Sequence, residues 1–234
     1  QPDPVNFRIA GWLPNPLDLR TRRINTRIGM KEFWDNKYST NEYVYGEEPN
    51  EYFKYAIDTF LPAGRLLLPA EGEGRNAVYA VKKGLEVVAF DQSKEGKKKA
   101  LKLADKAGVK IDYRVGELPD LPLEGEIFTA AALIYAHFTP QLRLEYHRLI
   151  GKLIKPEGLI IVEGFSQQHI EYQKKYPNIG GPRNIGMLYT LEMIRSDFDD
   201  FEPIESSEGE VELSEGSSHI GTGNVIRFIG RKVK

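Results

Sequence analysis

The stretch LLLPAEGEGRNAVYAVKKGLEVVAFDQS, Leu66 to Ser93, constrains the fold most strongly. Leu66 to Leu68 lack polar alternation, which suits a strand buried on both faces. The glycine turn opens a helix-length segment from Arg75 to Lys83, with Gly84 as its stop, and Glu86 to Phe90 supply a second apolar run. A strand, a helix and a further strand at this spacing form a crossover between parallel strands, right-handed by the twist of L-residue chains. Gly72, Gly74 and Ala77 satisfy G-x-G-x-x-A between strand and helix, where backbone amides can approach a ligand closely.

The alternation continues along the chain. Before it, Phe53, Ala56, Ile57 and Phe60 form one helical stripe. After it come a helix capped by Ser93 with Ala100, Leu101, Ala104 and Ala107 on one side, then strands over Val109 to Val115 and Ile127 to Leu133. A helix from Thr139 and Pro140 to Ile154 and a strand over Leu159 to Val162 follow. Two strand-like runs around a glycine- and serine-rich connection close the chain as an antiparallel hairpin. The expected fold is α/β, a Rossmann-like doubly wound sheet, mostly parallel. The first 29 residues, with five arginines, two acids and four prolines, show no sustained period and read as an irregular extension, with the domain spanning 30–234.

Composition narrows the function classes. At 234 residues and 28% charged, with a net charge of −2, the chain suits one globular domain and has no global basic field for nucleic acid. Six lysines from Lys94 to Lys106 spread around a helix without aromatic interleaving and read as a solvated face. No apolar run approaches the roughly 20 residues of a membrane span. Without cysteine there are no disulfides or thiolate sites, and His137, His147, His169 and His219 fall at no tight metal-ligand spacing, so no metal is expected. No leader pattern is visible, and a cytoplasmic location is the expectation.

The ligand reading turns on charge. Asp91 ends the second strand, where a carboxylate can accept from both hydroxyls of an adenosine ribose. A dinucleotide would set its pyrophosphate beside Glu71 and Glu73, at a cost on the order of a few kcal/mol per close like-charge contact. No G-K-[ST] follows, which also removes the P-loop. S-adenosylmethionine, with an ammonium and a sulfonium, is attracted by the same carboxylates, while its own carboxylate can use the helix N-terminus.

At AEGEGRNAVYAVKKGLEVVAFDQS the chain resembles motif I and the following acidic strand end of class I S-adenosylmethionine-dependent methyltransferases, and the likeness runs from Met30 to Lys232. Through FWDNKYSTNEYVYGEEPNEYF, IGGPRNIGMLYTLEMIRSDF and ELSEGSSHIGTGNVIRFIGRK it is similar to the tellurite-resistance (TehB-like) and thiopurine methyltransferase-like branch. The resemblance implies a seven-stranded sheet whose last strand is antiparallel. It also implies cofactor contacts from the Ala70, Glu71, Gly72, Gly74 turn with Asn76, from Asp91 and Gln92 at the ribose, from Glu117 and Leu118 at the adenine, and from Ile134. Three positions depart from the family pattern: Leu68 and Glu117 stand where aspartate is usual, and Ala70 where the first glycine is.

Around Trp34, Tyr38, Tyr43, Tyr45 and Tyr52 the aromatic density exceeds the chain's 11%, and a flap bearing Trp34 or Tyr45 could close over a sulfonium by cation–π attraction or could be ordinary helix packing. His137, beyond the fourth strand, is a candidate base or substrate contact, with Tyr45 the other catalytic candidate, and a structural histidine is the alternative. Arg183 in IGGPRNIG could meet an anionic substrate, while His219 reads as a shaper of the hairpin turn. The expected activity is methyl transfer from S-adenosylmethionine, leaving S-adenosylhomocysteine, to a small acceptor such as a thiol or chalcogen oxyanion. A non-catalytic S-adenosylmethionine-binding protein and an NAD-dependent oxidoreductase are the alternatives.

Overall fold

A computed structural model describes residues 29–61 and 63–233. All of the expected extension except Gly29 therefore lies outside the described residues, and 29–38 already form a helix, α1. The remaining helices are α2 (Glu51–Phe60), α3 (Arg75–Lys82), α4 (Lys94–Lys106), α5 (Pro140–Lys152), α6 (His169–Lys175) and α7 (Leu191–Asp197). The strands are β1 (Arg65–Pro69), β2 (Glu86–Asp91), β3 (Asp112–Val115), β4 (Phe128–Ile134), β5 (Ile154–Phe165), β6 (Phe201–Glu215) and β7 (His219–Lys232). They form one seven-stranded sheet in the order β3-β2-β1-β4-β5-β7-β6, with β7 antiparallel to both its neighbours.

Strand alternation sorts the leucines of β1 onto two cores. Leu67 joins Val88, Phe90, Ala131 and Leu133 on one face, while Leu66 and Leu68 join Val87, Ala89, Ala130 and Ala132 on the other. Both faces are therefore buried, as an apolar run without alternation requires. Ser93 caps α4 by accepting from the Gly96 N–H, and Asn50 caps α2 through Phe53.

The differences from the sequence reading are local. The buried stripe of α4 is Ala100, Leu103 and Ala104, and Leu101 is exposed, because docking onto α3 and β3 rotates the helix away from the stripe expected there. Thr139 makes no side-chain cap on α5. The short helices α6 and α7 went unrecognised, since seven residues are too few to display a helical period.

Two topological facts position the site. Chain order reverses between β1 and β4, which opens a crevice beyond their carboxyl ends. The hairpin also overhangs: β5 pairs with β7 only from Leu159↔Arg231 to Phe165↔Val225, so β7 residues 219–224 and the end of β6 project past β5 over the same edge.

Candidate active site

The crevice, about 1100 Å³ including its mouth, is lined by Ala70 and Glu71 after β1, Asp91 and Gln92 at the end of β2, Glu117 and Leu118 after β3, and Ile134 at the end of β4. Asn76 reaches it as well, and Trp34, Tyr45 and His137 also line it. Gly72, Gly74 and Arg183 do not. The two glycines serve packing instead: a Cβ on Gly72 would stand 2.6 Å from the Tyr38 hydroxyl, and one on Gly74 2.5 Å from the Ala100 Cβ. Both have positive φ, 62° and 86°. The Arg183 guanidinium is spent within its own segment, donating to the Gln173 and Pro177 carbonyls, so the expected anion contact is not formed at the crevice.

Asp91 is built as a double acceptor. The Ser93 N–H donates to Oδ1 at 2.8 Å and the Gly72 N–H to Oδ2 at 3.2 Å, which leaves each oxygen further lone-pair capacity toward the crevice. Burial raises its pKa to about 6, against those hydrogen bonds. Glu71 behaves similarly: burial raises it to about 7, although the Ala77 N–H donates to it at 2.8 Å. Two desolvated carboxyls on one cavity therefore favour a ligand that brings positive charge and hydroxyl donors.

The helix N-terminus is not open as expected, because Glu71 itself holds the Ala77 amide. That arrangement sets a carboxylate where a pyrophosphate would seek amide donors. The second glutamate plays another part. The Glu73 side chain is 2% exposed and pairs with Lys99 at 2.6 Å, so its charge is neutralised beneath the turn rather than offered to a ligand or to solvent.

Glu73 and Arg75 instead hold the flap. The Tyr45 N–H donates to Glu73 at 3.3 Å, and Arg75 Nη1 donates to the Tyr45 carbonyl at 3.0 Å. Arg75 Nη2 meets Glu215 at 3.0 Å, and the Ser217 N–H donates to the Val44 carbonyl, so the flap, the glycine turn and the hairpin tip are bound together. From α1, Asp35 accepts from the Ser93 hydroxyl and the Lys94 N–H, tying that helix to the start of α4. Lys37 lies over the Tyr45 and Trp34 rings at 5.0 and 5.3 Å. The aromatic flap already attracts a cation from its own chain.

His137 lines the crevice with both ring nitrogens engaged. Nδ1 lies 2.8 Å from the Met187 carbonyl and Nε2 accepts from the Phe165 N–H at 3.0 Å, which fixes a neutral tautomer and leaves no lone pair for a substrate proton. Burial lowers its pKa to about 4. Of the readings open to it, base, substrate contact or structural histidine, His137 takes the structural one, a brace between β4, β5 and the segment before α7. Tyr45 is pushed far above the ordinary phenol range by burial and by Glu73, which keeps it a hydroxyl donor rather than a base.

Residues that the sequence reading gave no role at the ligand complete the walls. Tyr135 sits at φ 52° directly after β4, a strained conformation for a bulky residue, and stacks on Phe165 at 4.6 Å. Tyr146 donates to Glu117 at 2.8 Å, which positions that carboxylate in the crevice wall. His219, read as a turn shaper, lines the crevice between Tyr45 and Tyr135, its ring centroid 4.5 and 4.6 Å from theirs. The signal available in the sequence was Glu215 four residues before His219 in EGSSH.

Comparison with known proteins agrees with this fold. Residues 69–158 match the profile of a family described as a methyltransferase domain. A structure described with the conversion of a disulfide bond into a thioacetal group during echinomycin biosynthesis superposes with TM-score 0.71 at 17% identity, over 87% of this chain and 92% of that one. The N-methyltransferase NodS from Bradyrhizobium japonicum WM9, in complex with S-adenosyl-L-homocysteine, gives 0.64 at 9% identity, over 87% and 98%. TehB from Haemophilus influenzae gives 0.63 at 14%, over 86% and 66%. At these identities the likeness is one of fold. No curated protein matches the chain.

Proposed function

From the premise that this chain is a methyltransferase of the class I fold, we propose that its crevice binds S-adenosylmethionine and passes the methyl group to a small molecule. The observation that carries the reading is the pair of desolvated carboxyls, half-buried Glu71 and buried Asp91, on one cavity at the β1/β4 reversal. Bound there, the cofactor would supply an activated methyl on a sulfonium leaving group. Asp91 would accept from the ribose hydroxyls, Glu71 would attract the ammonium, and Gln92, Glu117, Leu118 and Ile134 would frame the nucleoside. Trp34 and Tyr45 would cover it and exclude water, so that alignment supplies most of the rate.

NodS is an N-methyltransferase by its description, and TehB shares the sheet. A small acceptor fits the enclosed aromatic walls. Thiolates and chalcogen oxyanions have no proton to lose at the reacting atom and ask least of the protein, whereas an acceptor that arrives protonated must also shed a proton. Among the described residues no helix is long and apolar enough to cross a membrane, and no group of three His, Cys, Asp or Glu side chains could hold a metal ion.

The test is transfer of labelled methyl from S-adenosylmethionine across thiols, tellurite, selenite, phenols and heteroaromatic N–H acids, with calorimetry of S-adenosylhomocysteine alongside. Calorimetric binding of NAD with none of S-adenosylhomocysteine would overturn the reading. The pH dependence of binding follows from the carboxyls. Their pKa values in the free protein are about 6 and about 7, and the ligand's donors and positive charge favour the ionised forms, lowering both pKa values in the complex. Affinity for S-adenosylhomocysteine is therefore expected to rise about tenfold or more from pH 5 to pH 8 and to level off above both values. A flat calorimetric profile over that range would remove these carboxyls from the ligand contact.

A further inference from the structure

The overhang of the hairpin brings to the crevice a histidine that nothing in the glycine-turn half of the site requires. His219 Nδ1 lies 2.8 Å from Glu215 Oε2, and the ring, 3% exposed, stands between Tyr45 and Tyr135. Glu215 can only accept there, because burial that opposes its charge is outweighed by His219 and Arg75, which hold it ionised at about 2. Nδ1 therefore carries the proton, and Nε2 is left as the acceptor nitrogen. Nε2 has no hydrogen-bond partner among the described residues and its ring edge packs beside Gly180, where an added Cβ would stand 2.9 Å from it, whereas both nitrogens of His137 are occupied.

Resting on the methyl-transfer reading above, we propose that His219, oriented by Glu215, is the proton acceptor of this site and that its substrate is a flat molecule presenting an N–H or O–H acid. The acceptor class follows from the rings around the histidine itself. Tyr45, Tyr135 and Phe165 stand 4.5, 4.6 and 5.3 Å from the His219 ring centroid, a surround suited to a planar ring system, and a thiolate or chalcogen oxyanion would leave the Glu215–His219 pair without work. As the acceptor's nitrogen or oxygen lone pair bonds to the methyl carbon, its proton passes to Nε2. The electron pair of the breaking carbon–sulfur bond stays on sulfur, a neutral thioether results, and the proton on His219 is returned to water. Glu215 is a positioning residue, fixing the tautomer and the ring plane.

Burial, opposed by Glu215, lowers the pKa of His219 below its ordinary value, so the base form prevails at neutral pH. The groups facing it are Glu215 from β6, Arg75 from α3, Lys37 from α1, the phenols of Tyr45 and Tyr135, His137 beyond β4, and His169 from α6.

The deciding variant is His219→Asn, whose amide nitrogen stands in for Nδ1 and keeps the bond to Glu215 while removing Nε2. Wild type and variant are compared by S-adenosylhomocysteine calorimetry, by melting temperature, and by methyl transfer to catechol, 8-hydroxyquinoline and lumazine as O–H and N–H probes and to 2-mercaptoethanol as a thiol. Long-range proton–nitrogen NMR of the wild type reads the His219 tautomer directly, and Nδ1–H with unprotonated Nε2 at pH 7.5 is expected. Affinity and melting temperature are expected to hold, transfer to the O–H and N–H probes to fall ~10²–10⁴-fold with loss of the acid limb of the pH–rate profile, and added imidazole to restore part of it. An unchanged rate and profile in the variant would overturn the proposal, and so would a rate loss accompanied by weakened ligand binding and a lowered melting temperature, which marks a strut. Wild-type protein that binds S-adenosylhomocysteine but methylates only the thiol would overturn the acceptor class while sparing the methyl-transfer reading. Failure to bind S-adenosylhomocysteine would overturn both.

Discussion

Replacing Asp91 with alanine is expected to weaken S-adenosylhomocysteine binding by about 10²–10⁴-fold, because hydrogen bonds to a buried carboxylate contribute about 1.5–3 kcal/mol each and the ribose offers two hydroxyl donors. The same substitution is expected to shift the melting temperature by only a few degrees, through opposed effects. Alanine leaves the Gly72 and Ser93 N–H groups without their acceptor, which costs about 1–3 kcal/mol for each one that water does not satisfy. Against this, the folded-state pKa of about 6 exceeds the ordinary 3.8. A raised carboxyl contributes stability below the unfolded value and loses that contribution as pH rises through about 6, so at pH 7.5 this desolvated charge burdens the free protein and its removal relieves it. Calorimetry and thermal melting on one sample read both effects. An affinity within threefold of wild type would show that the ligand does not use Asp91.

Gly74→Ala is expected to be the most damaging single-methyl change in the glycine turn. At φ 86° an L-residue costs about 1–2 kcal/mol, and the new Cβ would stand 2.5 Å from the Ala100 Cβ and 2.8 Å from its Cα, where neither atom belongs to a flexible chain end. Overpacking of that kind adds about 1–3 kcal/mol, and together the two terms imply a fall in melting temperature of about 5–20 °C for a domain of this size. Gly84→Ala is the matched control: φ is 89°, but nothing lies within 4 Å of the added carbon, so only the backbone cost of about 1–2 kcal/mol applies. Equal losses in the two variants would show that the α3–α4 contact contributes nothing at this position.

These cases mark where local reading succeeds. The β1–α3–β2 unit, the alternation that follows and the terminal hairpin were legible because each is written within a short window: apolar runs, glycines at stops, Ser93 at a cap. The crevice walls Ala70, Glu71, Asp91 and Gln92 were legible for the same reason, since they lie at the carboxyl ends of adjacent parallel strands. Glu73 was not. Its carboxylate is neutralised by Lys99 and occupied by the Tyr45 amide, partners supplied by α4 and by the flap.

Histidines divide the two kinds of information most sharply. The sequence alone determined the sheet's parallel core, its reversing hairpin and a glycine turn bearing two carboxylates, because these depend on hydrophobic period, on glycine φ and on residues a few positions apart. Only the tertiary structure decided that His137 is a brace with both nitrogens bound to backbone and that His219, carried over the crevice by the length of β7 that extends past β5, leaves Nε2 without a hydrogen-bond partner among the described residues. A ring nitrogen's role is set by which distant donor or acceptor meets it, and that meeting is a property of strand register and overhang that no local window contains.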